Sequence, residues 1–167
     1  MILSHDLSWN AHINNIVSKA RKRLHMLYTH KRSGVSQSDL FHIYKSVIRP
    51  VMEYACPVWH SSLPGYLSDS LEMIKKRALR IIFPGEEYSD TISKTGLETH
   101  AKRRHNLCKI YFYKMYSHNH KLNHLLPEPR NMPYELRNSH SIKIPMAKTE
   151  RYRKSFLPWA LANLQNK

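Results

Sequence analysis

The feature that most restricts what this chain can fold into is the spacing of its apolar residues. Between Ser8 and His30 they fall at Ile13, Ile16, Val17, Ala20, Leu24, Leu27 and Tyr28, separations of three, four and seven that gather them on one face of an α-helix. The same period returns at Leu40, Ile43, Tyr44, Val47 and Ile48, and again at Leu71, Ile74, Ala78, Ile81 and Ile82. No alternating run of six or more residues, the signature of a half-buried strand, stands beside them. The expected fold is therefore all-α: a small bundle of four or five helices with an irregular, Pro-containing C-terminal strap.

Local signals mark the ends of these helices. Ser8 or Asp6 is expected to cap the first, and Ser33-Gly34 lets the chain reverse after it. Ser36 with Asp39 has the form of a capping arrangement for the second, which Pro50 should interrupt and kink. Val51 to Trp59 reads as a continuation that ends in a buried turn. A third helix is expected from Asp69 to Phe83, stopped by Pro84-Gly85. A short one from Ser89 to Thr95 is closed by Gly96, and Thr99 caps a longer one that runs through Ala101, Cys108, Tyr111, Phe112, Met115 and Tyr116. Five of the nine prolines lie in residues 119–167, so no regular core element is expected there before Phe156 to Leu164. The expected organisation is a helical domain over residues 1–118 and an irregular extension over 119–167.

Charge sets the class of partner. Lys and Arg number 27 against 12 acids, a formal net charge of +15, and such a chain repels itself unless an anionic partner screens it. No apolar run approaches the roughly 18 residues of a membrane span, and no secretory leader pattern opens the sequence. Cys56 and Cys108 are too few for a disulfide framework and fit buried core positions in an intracellular protein, cytoplasmic or nuclear.

Projected at about 100° per residue, the basic residues form ridges rather than a scatter. Lys19 and Lys22 fall opposite the first apolar stripe, while Arg21 and Arg23 sit at its two edges. Lys76, Arg77 and Arg80 project from the third helix, where Lys75 alone lies within the apolar stripe. Lys102, Arg103 and Lys109 supply a third patch, with Arg104 or His105 nearer the core. No acid occurs from residue 7 to residue 38. Ordinary solvated surfaces mix both signs, so the ridges point to phosphate contacts on RNA, DNA or an RNA–DNA hybrid, which neutralise charge and carry little sequence information.

Other chemistries fit less well. His118, His120 and His124 cluster, yet without the paired ligand spacing of a zinc site, so they read as a polar loop and no metal or other cofactor is expected. Cys56 lies four residues from His60 with no orienting third group. Glu86-Glu87, the one adjacent acidic pair, stands without partners for a two-metal centre. Trp9, Trp59 and Trp159 are expected in the core rather than stacked on bases.

Three blocks of sequence carry a more specific signal: Leu7-Ser8-Trp9-Asn10-Ala11-His12-Ile13, Ser46 to His60 with its Ile48-Arg49-Pro50-Val51-Met52-Glu53-Tyr54-Ala55 core, and Lys76-Arg77-Ala78-Leu79-Arg80-Ile81-Ile82-Phe83-Pro84-Gly85. In order and spacing they resemble the region that follows the palm in non-LTR (LINE-type) retrotransposon reverse transcriptases. The resemblance continues through Tyr134-Glu135-Leu136-Arg137-Asn138, Thr149-Glu150-Arg151 and Ser155-Phe156-Leu157-Pro158. It implies a thumb that holds primer and template, then a carboxy-terminal extension, with Met1 an internal start or the mark of a truncated reading frame. The aromatic-Ala-Asp-Asp palm motif of that family is absent from the sequence, Asp69 and Asp90 are isolated, and cysteine-rich knuckles are missing, so no catalytic residue carries over. The final Leu164-Gln165 departs from the Trp-Asn-like ending of the family. The expected function is thus a nucleic-acid-binding fragment of an RNA-directed DNA polymerase rather than an enzyme. The competing expectations are a functionless product of a decaying transposon and an independent basic helical RNA-binding module.

Because paired carboxylates are needed to hold the metals of nucleotidyl transfer, the purified protein is expected not to extend a primer. Template-dependent incorporation of labelled nucleotide, in a preparation free of other polymerases, would contradict this.

Overall fold

The computed structural model describes residues 1–6, 8–117, 119–128, 142 and 144–164, and among them the regular structure is helical with no strand element. The chain is all-α, as the apolar periods require. Helices α1 (Asn10–Arg32) and α2 (Gln37–Ile43) lead into a π-helical segment (Tyr44–Ile48) and α3 (Arg49–Glu53). They are followed by α4 (Cys56–Trp59), α5 (Gly65–Ile82), α6 (Tyr88–Thr95), α7 (His100–Met115), α8 (Glu150–Arg153) and α9 (Phe156–Leu164). Single-turn α4 falls within the continuation expected over Val51 to Trp59, separated from α3 at Tyr54-Ala55, whereas single-turn α8 is an addition that no apolar period announces.

The chain divides into two compact units, one of residues 1–54 with 63–103, the other of residues 55–62 with 104–167. This division differs from the expected one at residues 118 and 119. Pairings distant in sequence decide it: α4 and the turn after it pack on α9 in the second unit, and a linear reading does not see them.

In the first unit α1 packs on α5, α3 and α2. Its expected stripe is buried at Ile13, Ile16, Val17, Ala20, Leu24 and Leu27, and α5 buries Leu67, Leu71, Ile74, Ala78, Leu79 and Ile82. Tyr28, counted into that stripe, is instead 48% exposed, because it falls at the edge of the face that α5 covers. Helices α1 and α5 run parallel: the Tyr66 hydroxyl donates to Asn10 Oδ1 at 2.6 Å near their starts, and Lys31 Nζ donates to the Ile81 carbonyl near their ends. Gln37 Nε2 adds a bond to the Ile82 carbonyl at 3.1 Å. Two parallel helices bring their negative ends together, and Lys31 and Arg32 in the last turn of α1 supply cations at that end.

Several end signals act as expected and some do not. Ser36 Oγ accepts from the Asp39 amide at 3.2 Å and Thr99 Oγ1 from that of Lys102 at 3.2 Å. Gly96 closes α6 in the left-handed region, with φ 63°. At α1 neither Ser8 nor Asp6 is the cap; Trp9 holds that position with no side-chain capping bond to the helix, and Asp6 accepts from the Ser8 amide instead. Helix α5 begins at Gly65, four residues before the expected Asp69. Pro50 does not end its helix. It has no amide to give Ser46, and the preceding turn widens to a π-helix in which the Arg49 amide reaches the Tyr44 carbonyl. The helix ends later, at Tyr54, before Ala55 at φ 52°.

A buried polar network ties α5 to α6, to α7 and to the Glu98 loop. Lys75 is 1% exposed and donates to the Glu98 carbonyl at 2.5 Å, with Glu72 Oε1 at 3.4 Å. Glu72 also accepts from the Tyr88 hydroxyl and, at 2.7 Å, from the His100 amide. His100 Nε2 lies 3.3 Å from the Tyr44 hydroxyl. Burial pushes the Glu72 carboxyl up, but Tyr88, the His100 amide and Lys75 outweigh it and hold the group below its ordinary range. Burial pushes Lys75 down, and Glu72 restores only part of the difference.

The second unit has its own core of Phe112, Ile142, Ala160, Leu161 and Leu164, against which Leu126, Phe156 and Trp159 pack. Cys56 and Cys108 are buried free thiols, and Cys108 is held far above its ordinary value by its hydrogen bond to Cys56 and by burial. Trp59 is fully buried, with the Arg104 guanidinium 5.6 Å from its ring centroid. His60, His105 and Trp159 meet edge to face at 5.6–6.2 Å. Burial first, then Arg104 and His105, lower His60 to about 4, so it is neutral at physiological pH. The helix expected from Phe156 to Leu164 is α9, whereas the Tyr134–Asn138 block and Gln165 lie outside the described residues.

Replacing Glu72 by Gln should cost about 1–3 kcal/mol in urea unfolding at pH 7, because Lys75 stays buried without its counter-charge. The folded carboxyl lies below its ordinary value of 4.5, so its contribution is complete above about pH 4.5 and is lost as the pH falls through the folded value. E72Q should flatten that acid limb. An unchanged midpoint and an unchanged pH profile would show that the network contributes nothing.

Candidate nucleic-acid interface

The packing of α1 on α5 generates a cationic feature of the first unit. Where the two helices diverge from their shared apolar stripe, their flanking side chains line an open furrow. On α1 these are Arg21, Leu24, His25, Tyr28 and Lys31, spaced as one helical face, and on α5 they are Arg77, Arg80 and Ile81. The volume is about 540 Å³. Towards the starts of the helices a second depression of about 340 Å³ is lined by Asn14, Val17, Ser18 and Arg21 with Ser70, Met73, Ile74 and Arg77. Arg21 and Arg77 border both, so the seam is one continuous track. No acid lines either part.

The structure therefore brings Arg21, Arg77 and Arg80 together. The guanidiniums rise from the rim while Leu24 and Ile81 lie beneath, an arrangement in which long stems rest on apolar surface and heads face water. The Arg32 guanidinium lies 5.9 Å from the Tyr28 ring centroid, placing a further cation beside the aromatic.

The other expected residues go elsewhere. Lys19 and Arg23 border a different depression, with His12, Pro50, Val51 and Tyr54. Arg23 Nη1 donates to the Val47 carbonyl in the π-helical segment, so this guanidinium supports the fold. Lys22 is exposed on α1. Lys76 sits 5.2 Å from the Tyr88 ring centroid and shares a depression with Arg80, Glu86 and Glu87. The third patch is not acid-free: Lys102 pairs with Glu98 at 3.3 Å, and Arg103 Nε binds Glu53 Oε1 at 2.6 Å. Lys109 lies in the second unit, 5.9 Å from the Tyr113 ring centroid. The acidic members of these pairs come from an adjoining loop and from α3, so this patch mixes both signs.

Periodicity alone does not mark His25 and Lys31 as furrow residues, although Arg21, His25 and Tyr28 stand four and seven residues apart on one helical face. Spacing places Tyr28 within the apolar stripe because an aromatic at the margin of a stripe has the same spacing whether it is covered or bare. Among the described residues no group of three or more His, Cys, Asp or Glu is arranged to hold a metal ion; His118 of the expected histidine loop lies outside them. No helix is long and apolar enough to cross a membrane among the described residues. No protein-family model, curated protein or solved structure matches the chain.

The pairing of Arg103 makes a separable expectation. Arg103→Ala should lower stability by about 1–2 kcal/mol, the scale of a charge-assisted bond to a carboxylate left half-buried, whereas Lys22→Ala should stay within about 0.5 kcal/mol of the parent. Thermal or urea unfolding of both variants checks this, and equal effects would contradict it.

Proposed function

We propose that this protein is a nucleic-acid-binding segment of the thumb and carboxy-terminal type found in LINE-like reverse transcriptases, with no nucleotidyl-transfer chemistry of its own. The observation that carries this is the acid-free furrow of α1 and α5, where Arg21, Arg77 and Arg80 converge with Lys31 and His25. The block that resembles the retrotransposon enzymes at Lys76 to Gly85 supplies two of these arginines. Its Arg77-Ala78-Leu79-Arg80-Ile81 run puts the buried Ala78 and Leu79 into the core and both guanidiniums on the rim.

Phosphates suit such a surface better than isolated carboxylates do. Guanidinium forks bind phosphate oxygens in a planar, two-pronged way, and a track of them matches a repeating anion. The remaining positive charge, spread over exposed Lys19 and Lys22 among others, adds long-range attraction that salt screens. RNA, DNA and hybrid duplex all present the required phosphates.

Binding of labelled oligonucleotides, followed by fluorescence anisotropy, should weaken steeply with salt and depend little on sequence. Replacing Arg21, Arg77 and Arg80 together by Gln should reduce the log-log salt slope by about 2–3, at roughly 0.7–0.9 per phosphate neutralised, with helical content unchanged. Failure of the folded parent to bind at low salt, or an unaltered slope in the triple variant, would remove the basis for this function.

A further inference from the structure

A furrow that only tracked phosphates would need cations, not an apolar floor. This one has both. Leu24 and Ile81 line it alongside Tyr28, and Tyr28 is 48% exposed although it stands at the edge of a core stripe. An aromatic left that bare in water forgoes the free energy its burial in the core would provide. Its surroundings supply what a nucleotide needs beside the base: Arg77 and Arg80 across the furrow, Arg21 towards its far end, and Arg32 at 5.9 Å from the ring.

We propose that the furrow seats a single-stranded nucleic-acid segment, with one base stacked on Tyr28 and its flanking phosphates on Arg21, Arg77 and Arg80. This rests on the nucleic-acid reading given above and narrows it to a class of substrate. The shape favours a single strand over a duplex. From Arg21 to Lys31 the helix rises about 15 Å, so the furrow is a concave trough a few nucleotides long. A duplex keeps its bases stacked inside and offers the trough only phosphates and groove edges, leaving the exposed Tyr28 and the half-buried Ile81 with nothing to cover them. An unpaired base brings a π-face that can lie on the ring whatever its identity. Charge complementarity calls for a polyanion, since none of the lining residues is acidic, and the exposed aromatic distinguishes the unpaired strand from the duplex.

The test compares short single-stranded oligonucleotides of thymidine or uridine with a blunt duplex of equal phosphate number, using the full chain. Tyr28→Ala and Tyr28→Leu should lower single-strand affinity by about 5- to 100-fold, the scale of losing one stacked base, while Tyr28→Trp retains it and duplex binding changes little. Both truncations should leave circular dichroism unaltered, and 5-iodouridine in the oligonucleotide should photocrosslink to the peptide containing Tyr28. If Tyr28→Leu binds single strands as the parent does while the Arg21, Arg77 and Arg80 triple variant is weakened, stacking is overturned and the phosphate track stands. If neither single strands nor duplex bind at low salt, the nucleic-acid reading itself fails. Saturable binding to phosphatidylserine vesicles that the triple variant loses and oligonucleotides do not displace would make a lipid surface the occupant and overturn the proposal.

Discussion

An ammonium group withdrawn from water within an apolar helix stripe must find a counter-charge and acceptors, or the stripe cannot be buried around it. Lys75 sets this condition for the first unit. Its position between Leu71, Ile74, Ala78 and Leu79 places it in the middle of the face that α5 buries. Glu72, one turn earlier on the same helix, supplies the charge, and the Glu98 carbonyl supplies the acceptor. Glu72 is then too buried to stand alone, and its other bonds come from Tyr88 of α6 and the first amide of α7. One cation in the wrong place for a simple amphipathic helix thus determines where α6 and the start of α7 must sit.

With α5 held from that side, its opposite margin is free to pair with α1, and the parallel arrangement follows a second electrostatic condition. Aligned helix dipoles are tolerable when cations collect at their shared negative end. Lys31 and Gln37 satisfy the terminal carbonyls of α5, and the run His30-Lys31-Arg32 closes α1 beside them. The furrow is a consequence of this packing rather than an independent device. Cylinders that touch along one stripe leave a trough at its margin, and the side chains bordering that trough are the arginines flanking each stripe. A fold-stabilising arrangement and a phosphate-binding one therefore share the same two helices, with Lys31 serving as a helix-end donor at the rim.

The fate of the basic residues shows why net charge is a poor map of an interface. Arg21 and Arg23 are two positions apart and occupy opposite edges of one stripe, yet one borders the furrow and the other is drawn to the Val47 carbonyl. That carbonyl lies in the segment where the helix widens ahead of Pro50. Arg103, equally basic in sequence, is committed to Glu53, which also has Arg49 nearby at 3.8 Å. Excess positive charge attracts a polyanion to the whole molecule; only the cations with no structural duty and a common direction can hold it at a defined place.

Helical class, the faces of α1 and α5, the stops at Gly34, Pro84-Gly85 and Gly96, and the burial of Lys75 were all legible in the amino-acid sequence. Each depends on periodicity or on a residue's own backbone preference, which are properties of neighbours within a turn or two. The same local reasoning identified Arg21, Arg77 and Arg80 as outward-facing. Only the tertiary structure decided that these three converge, that Arg23 and Arg103 are spent on carbonyl and carboxylate partners 24 and 50 residues away, and that Tyr28 stays half-exposed. It also decided that residues 55–62 belong with 104–167 rather than with the helices around them. Periodicity states which face of a helix is apolar, but which neighbour covers that face, and how far the cover extends, depends on packing between segments distant in the chain.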